Sequence, residues 1–203
     1  MRAYLRDPAA IYRLSFRMAR EETDLSGLPL RAAGLALRLV HACGRPEIVQ
    51  DLALSPGIIE RAEAGLAAGA PIVADTRMTA EGVIGREAVC AIDAPPVAAA
   101  ACAGGGTRAM AAMDALAGCF DGAVVAVGNA PTALFRLLEL VEKGAPVPLV
   151  VLGFPVGFVG AAESKAALIE SGLPHIALRG RFGGSALAAA AVNALLNPAE
   201  SAP

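Results

Sequence analysis

Ala123-Val124-Val125-Ala126-Val127-Gly128-Asn129-Ala130-Pro131-Thr132-Ala133-Leu134-Phe135 is the stretch on which the reading of the fold turns. Its first five residues are apolar without alternation, the pattern of a strand buried on both faces. Gly128 and Asn129 then supply a tight turn and a helix cap, and Pro131 suits the first helical turn. Leu134, Phe135, Leu137, Leu138 and Val141 follow at helical spacing up to Lys143-Gly144, where the glycine is placed to end the helix.

The same grammar recurs on either side. Pro71-Ile72-Val73-Ala74-Asp75, Ala88-Val89-Cys90-Ala91-Ile92, Leu149-Val150-Val151-Leu152 and His175-Ile176-Ala177-Leu178 read as four further strands, separated by segments of helical periodicity. Such alternation predicts a mostly parallel sheet covered by helices on both sides and joined by right-handed crossovers. Before residue 70 the sequence offers only helical segments, near Ala9–Arg20, Pro29–Cys43 and Pro56–Ala68. The expected architecture is therefore α/β, a doubly wound, flavodoxin-like five-stranded sheet with an N-terminal helical layer. One domain spans 1–203, with residues 1–70 as the layer and 71–198 as the sheet core.

Composition narrows the function. The chain has 203 residues, a net charge of -2 and 56% hydrophobic residues, 47 of them alanine, yet charges interrupt every apolar run before it reaches membrane-spanning length. With 17 basic and 19 acidic residues there is no cationic surplus for gripping nucleic acid. The N-terminus shows a charge and a proline where a signal peptide has its apolar region, so a cytoplasmic location is expected. Cys43, Cys90, Cys102 and Cys119 form no C-x-x-C pair; they are expected to be buried thiols, with no metal site.

In an open parallel sheet ligands bind beyond the carboxyl ends of the strands. The residues expected there are polar or glycine-rich: Asp75-Thr76-Arg77-Met78-Thr79, Gly128-Asn129-Ala130-Pro131-Thr132, Gly153 to Phe158, and Arg179-Gly180-Arg181-Phe182-Gly183-Gly184-Ser185. Glycine turns that open helices, at 128–132, 183–185 and 104–108, present backbone N–H groups suited to anions. None has Walker spacing, and the dinucleotide Gly-x-Gly-x-x-Gly is missing from the first strand–helix junction. Cations are almost all arginine, 15 against two lysines, and Arg77, Arg108, Arg179 and Arg181 fall at loops or helix starts, where their planar forks suit carboxylates. An anionic small molecule is the expected ligand class. Of the two histidines, His175 opens a strand at the opposite edge and reads as structural. His41 lies in the last turn of an amphipathic helix, where the macrodipole favours the imidazolium and burial opposes it. Proton donor and core histidine are equally compatible with that position.

These residues carry a resemblance. Tyr4-Leu5-Arg6-Asp7-Pro8 with Ile11-Tyr12-Arg13-Leu14-Ser15-Phe16, Leu39-Val40-His41-Ala42-Cys43-Gly44, Gly65 to Asp75, Val127 to Phe135, Pro155 to Lys165, and Arg179-Gly180-Arg181 with Gly183-Gly184-Ser185 together resemble the precorrin-8X methylmutases of vitamin B12 biosynthesis. The resemblance spans nearly the whole chain. It implies an isomerase that moves a methyl group from ring carbon 11 to ring carbon 12 of a reduced tetrapyrrole, giving hydrogenobyrinate, with no cofactor. It also implies a homodimer with its site near the interface. His41 matches the family's proton-transfer histidine. Tyr12, Ser15, Arg77, Thr79, Thr107 and Arg108 are then candidate substrate contacts, as are Asn129, Ala130, Pro131 and Thr132, and Arg181, Gly183, Gly184 and Ser185. Phe154, Phe158 and Gly157 would suit the flat macrocycle. The segment between Met78 and Cys90 is shorter than in the family, Ala80-Glu81-Gly82 stands where Ala-His-Gly is usual, and alanine follows Arg108 where serine is common. A tetrapyrrole-binding paralogue or carrier without catalysis is the alternative that this shortening suggests.

Overall fold

The computed structural model describes residues 4–198. In chain order the elements are α1 (Pro8–Glu22), α2 (Leu30–Cys43), β1 (Leu52–Leu54), α3 (Ile58–Ala67), β2 (Ile72–Ala74), α4 (Arg77–Glu81), α5 (Pro95–Gly104), α6 (Arg108–Leu116), β3 (Val124–Val127), α7 (Pro131–Glu142), β4 (Val150–Gly153), α8 (Ala161–Glu170), β5 (His175–Leu178) and α9 (Ser185–Leu196). One five-stranded sheet, ordered β1-β5-β4-β3-β2, runs through the middle. Strands β2 to β5 are parallel, stepping to the next neighbour in a single direction, and β1 closes the far edge antiparallel to β5. The α/β class and helical cover match the sequence reading. The strand order is not a flavodoxin's, whose parallel strands reverse direction of succession partway; here the only reversal is at β1.

Successive side chains of each strand enter different cores, because strand side chains alternate across a sheet. Ile72, Val124, Ala126, Val150, Leu152, Ile176 and Leu178 pack with α2, α3 and α9. Val73, Val125, Val127, Val151 and Ala177 pack with α6, α7 and α8. This double burial is why the strands carry no polar alternation. Alanine sets the spacing: α9 contributes Ala188, Ala190, Ala191 and Ala194 to the first core, so its backbone lies close to the sheet and to α2.

Two elements differ from expectation. Ala88–Ile92 supplies only one parallel bridge, Val89 to Val73. The chain leaves the edge at once for α5, whose opening Pro95-Pro96 has no N–H for a ladder. The fifth strand is instead β1, inside the segment expected to be wholly helical. It pairs Leu52 with Leu178 and Leu54 with Ile176, and three residues between Asp51 and Ser55-Pro56 are too few to register as a period. The cysteines also differ: Cys102 and Cys119 are exposed and Cys43 and Cys90 are half-buried, the first pair lying on the solvent side of helical turns.

Candidate functional site at the carboxyl edge

Asp75 directly follows β2 and is fully buried. Its Oδ1 accepts hydrogen bonds from the Gly128 N–H at 3.0 Å and the Thr79 hydroxyl at 3.0 Å; its Oδ2 accepts from the N–H groups of Asn129 at 2.8 Å and Ala130 at 3.0 Å. One carboxylate thus fastens the β2 end to the β3–α7 turn and sits at the positive end of α7. The anion that this turn binds is internal. Outward it presents the exposed Asn129 side chain and Thr132, whose hydroxyl lies 2.9 Å from that of Thr107, the cap of α6. Gly128 is obligatory, because an added Cβ would lie 2.6 Å from the Ser185 Cα and 2.8 Å from the Thr79 hydroxyl.

The remaining tips join the same edge. Thr76 caps α4, and its hydroxyl is 2.9 Å from that of Thr79 and 3.2 Å from that of Ser185. Gly184 N–H donates to the Phe154 carbonyl at 2.8 Å, and Gly157 N–H to the Arg181 carbonyl at 3.2 Å. Gly183 lies so close to the Phe154 and Pro155 carbonyls that a Cβ would meet them at 2.2 and 2.6 Å. Arg77 Nε lies 2.7 Å from Asp93 and Arg108 Nη1 lies 3.9 Å from the same carboxylate, so two of the expected arginines converge on one acid that sequence reasoning passed over. The Arg181 guanidinium lies 5.5 Å over the Phe158 ring, which is 83% exposed. Phe154 differs from expectation: it is sealed in the core and unable to face a ligand, because its backbone belongs to the tie with Gly184. Thr79 and Ser185 are likewise buried and act on neighbouring protein groups.

The second half of the site comes from α1 and α2. Asp7 caps α1 by accepting from the Ala10 N–H at 2.7 Å, and α2 ends at Gly44, whose φ of 66° is the left-handed conformation of a terminating glycine. These helices bring Ser15 Oγ to 2.8 Å from His41 Nδ1. The imidazole stacks on Phe16, centroids 4.6 Å apart, with the Tyr12 ring edge-on at 5.7 Å. Burial against these rings lowers the His41 pKa from its ordinary value, and the positive charge of Arg38 lowers it further. Arg38 itself lies 5.8 and 5.5 Å over the Tyr12 and Phe16 rings. A cavity of about 360 Å³ opens here, lined by Ile11, Ser15, Met18, Val40, His41 and Gly44. Just beyond α2, the Arg45 guanidinium lies 4.5 Å over the Phe182 ring, which brings this end of α2 to the loop after β5. His175 is buried in the sheet with Nδ1 2.8 Å from the Leu173 carbonyl and 3.1 Å from Ser55 Oγ, a structural placement at the other edge.

Acids at strand ends were visible in the sequence, and Thr79 lies only four residues past Asp75, but the three backbone donors to Asp75 lie 53 to 55 residues away and the arginines that meet Asp93 lie 16 and 15 away, beyond any local signal. Parallel strands thus deliver polar tips to one edge, and Arg45 over Phe182 links the end of the His41 helix to the loop after β5. A family model described as precorrin-8X methylmutase matches residues 10–198. The chain is 49% identical to the precorrin-8X methylmutase of Pseudomonas aeruginosa, over 97% of this chain and 99% of that one. It is 38% identical to the cobalt-precorrin-8 methylmutase of Methanothermobacter thermautotrophicus, over 92% and 91%. The crystal structure of a precorrin-8X methyl mutase from Thermus thermophilus superposes with a TM-score of 0.85 at 39% identity, covering 95% of this chain and 96% of that one. The chain belongs to the precorrin-8X methylmutase family. It is a methyl-shifting isomerase of cobalamin biosynthesis.

Proposed function

We propose that the chain moves the methyl group on ring carbon 11 of precorrin-8X to ring carbon 12, giving hydrogenobyrinate, with His41 controlling protonation of the macrocycle. The observation that carries this reading is the His41 constellation: a ring fixed by Ser15 at 2.8 Å, stacked on Phe16, and bordering a cavity. A lowered pKa makes the imidazolium a better acid, and Ser15 engages Nδ1, which leaves Nε2 as the nitrogen to exchange a proton with substrate. The shift breaks one carbon–carbon bond and forms another in the same molecule, so the protein's task is to hold one conformer and set its protonation. Asn129 and Thr132 at the β3–α7 turn, Thr107 and Arg108 at the start of α6, Arg77, and the Arg181–Gly184 stretch are the proposed seats for the acidic side chains of the substrate.

The metal-free substrate is favoured over the cobalt form because two precorrin-8X enzymes stand at 49% identity and two cobalt-precorrin-8 enzymes at 42% and 38%. A tetrapyrrole is larger than the 360 Å³ cavity, the exposed apolar side chains of Leu5, Ile11 and Met18 border it, and Tyr12 is exposed on the same helix. A second copy of the chain supplies the missing wall in this reading, which makes the protein a homodimer, working in the cytoplasm. The short 78–90 segment, on which the carrier alternative rests, is held by Asn193: its Oδ1 accepts from the Ile84 N–H at 2.8 Å and its amide donates to the Gly82 carbonyl at 2.8 Å. Incubation with precorrin-8X and, separately, its cobalt form, following the corrin chromophore, tests the proposal. Faster conversion of the cobalt form would reverse the substrate assignment, and binding without turnover of either would favour the carrier.

A further inference from the structure

Lys165 on α8 is 0% exposed, an unusual place for a cation. Its Nζ donates to the Phe182 carbonyl at 2.7 Å. Leucine or methionine would fill the same volume without removing an amine from water, so packing alone does not account for a lysine. Phe182 lies in the middle of the loop that leaves β5. Around it, the Arg181 carbonyl accepts from Gly157, Gly184 donates to Phe154, the Ser185 hydroxyl meets Thr76, and the Phe182 ring lies beneath Arg45 just past the His41 helix. The bond from Lys165 is the tie that reaches this loop from below.

We propose that Lys165 is a positioning residue, which fixes the Phe182 carbonyl and thereby sets the 179–185 loop for binding of the tetrapyrrole. The inference rests on the reading that this loop seats substrate carboxylates. Burial lowers the pKa of the amine to about 8 while the Asp51 carboxylate opposes that shift. A neutral amine still has N–H groups to donate, so the tie holds on both sides of that pH.

Lys165→Met keeps the length and the apolar stem and removes the donor. If Lys165 only packs, folded Lys165→Met binds and turns over as the wild type does, whatever its melting temperature. If it positions the loop, affinity for hydrogenobyrinic acid falls by about 10- to 100-fold in protein whose circular dichroism is unchanged, the scale of a small misplacement of binding groups. Wild-type binding within twofold of Lys165→Met overturns the inference; no binding by the wild type overturns the underlying reading instead. A measurement on the wild-type chain covers the case in which Lys165→Met does not fold. The protein has two lysines, and Lys143 is exposed, so ¹⁵N-lysine labelling gives two side-chain amine signals. Addition of hydrogenobyrinic acid is expected to shift the Lys165 signal and leave that of Lys143 in place. An unmoved Lys165 signal at saturation refutes the coupling.

Discussion

Replacing Asp75 with asparagine isolates what its negative charge does, since the amide is nearly the same size. Four donors meet the carboxylate in a fully buried site: Gly128 N–H and the Thr79 hydroxyl at Oδ1, Asn129 and Ala130 N–H at Oδ2. The amide has one oxygen. Turning its NH₂ toward the Oδ1 position strands only Gly128 N–H, because the Thr79 hydroxyl can rotate and accept; the opposite orientation strands two N–H groups. The preferred orientation leaves one buried donor without an acceptor, about 1–3 kcal/mol, and converts two charge-assisted bonds to neutral ones, roughly 1 kcal/mol each. Relief of the carboxylate's own desolvation offsets part of this, and the expected net loss is about 2–4 kcal/mol. Urea unfolding at neutral pH measures it, and Asp75→Ala, which strands all three N–H groups, is expected to lose more. Product affinity is expected to fall as well, because the stranded group belongs to the turn carrying Asn129 and Thr132. A loss below about 0.5 kcal/mol, the scale of an unremarkable surface change, would refute the assignment of Asp75 as the fastening of this turn.

His41→Ala is expected to fold and bind hydrogenobyrinate while single-turnover rate falls roughly 10²- to 10⁴-fold, with His41→Asn no better since an amide transfers no proton; near-normal turnover in folded protein would count against proton transfer. Arg108→Ala is expected to weaken product binding by about 1.5–3 kcal/mol and Arg108→Lys to restore part of it, measured by absorbance titration; equal binding by all three proteins would assign Arg108 to the surface pair with Asp93. For Lys165 the folded pKa, about 8, lies below the ordinary 10.5, so folding disfavours the charged form. That penalty is fully present below pH 8 and fades as pH rises toward 10.5, so wild-type stability should gain on Lys165→Met by up to roughly 3 kcal/mol across this window; parallel unfolding curves from pH 7 to 10.5 would contradict it. Sedimentation at micromolar concentration is expected to give a dimer, and Tyr12→Glu with Met18→Glu to give a monomer; a monomeric wild type would remove the second wall from the site.

What the sequence made legible follows from how local each signal is. The strands β2 to β5 were readable because burial on both faces removes polar residues in runs, as in Val124–Val127 and His175–Leu178. Ala88–Ile92 has the same composition and is not a strand, since apolarity reports burial and Val89 obtains its partner from the edge of β2 alone. β1 was hidden for the opposite reason: Leu52–Leu54 is defined by its partner β5, more than a hundred residues onward. At the site, turns and caps were local and visible, including Thr107 and the Gly128–Thr132 turn. The seat of His41 between Ser15 and Phe16 depends on two helices crossing, and the burial of Lys165 on how α8 meets a loop. Neither leaves a periodic trace.

The pairing of β1 with β5 has a consequence for the order in which the enzyme comes into being. Residues 52–54 have no strand to join until residues 176–178 have been made, and α2 packs chiefly on α9, the last helix of the chain. Contacts of such long sequence separation are formed late, because closing the intervening loop must be offset before they contribute. A growing chain can therefore assemble β2, β3 and β4 with the Asp75 fastening in place while the helix bearing His41, though already beside α1, still lacks its chief packing partner. The β3–α7 turn is thus in place early, whereas the 181–185 loop and the packing of the His41 helix are completed together with the final helix.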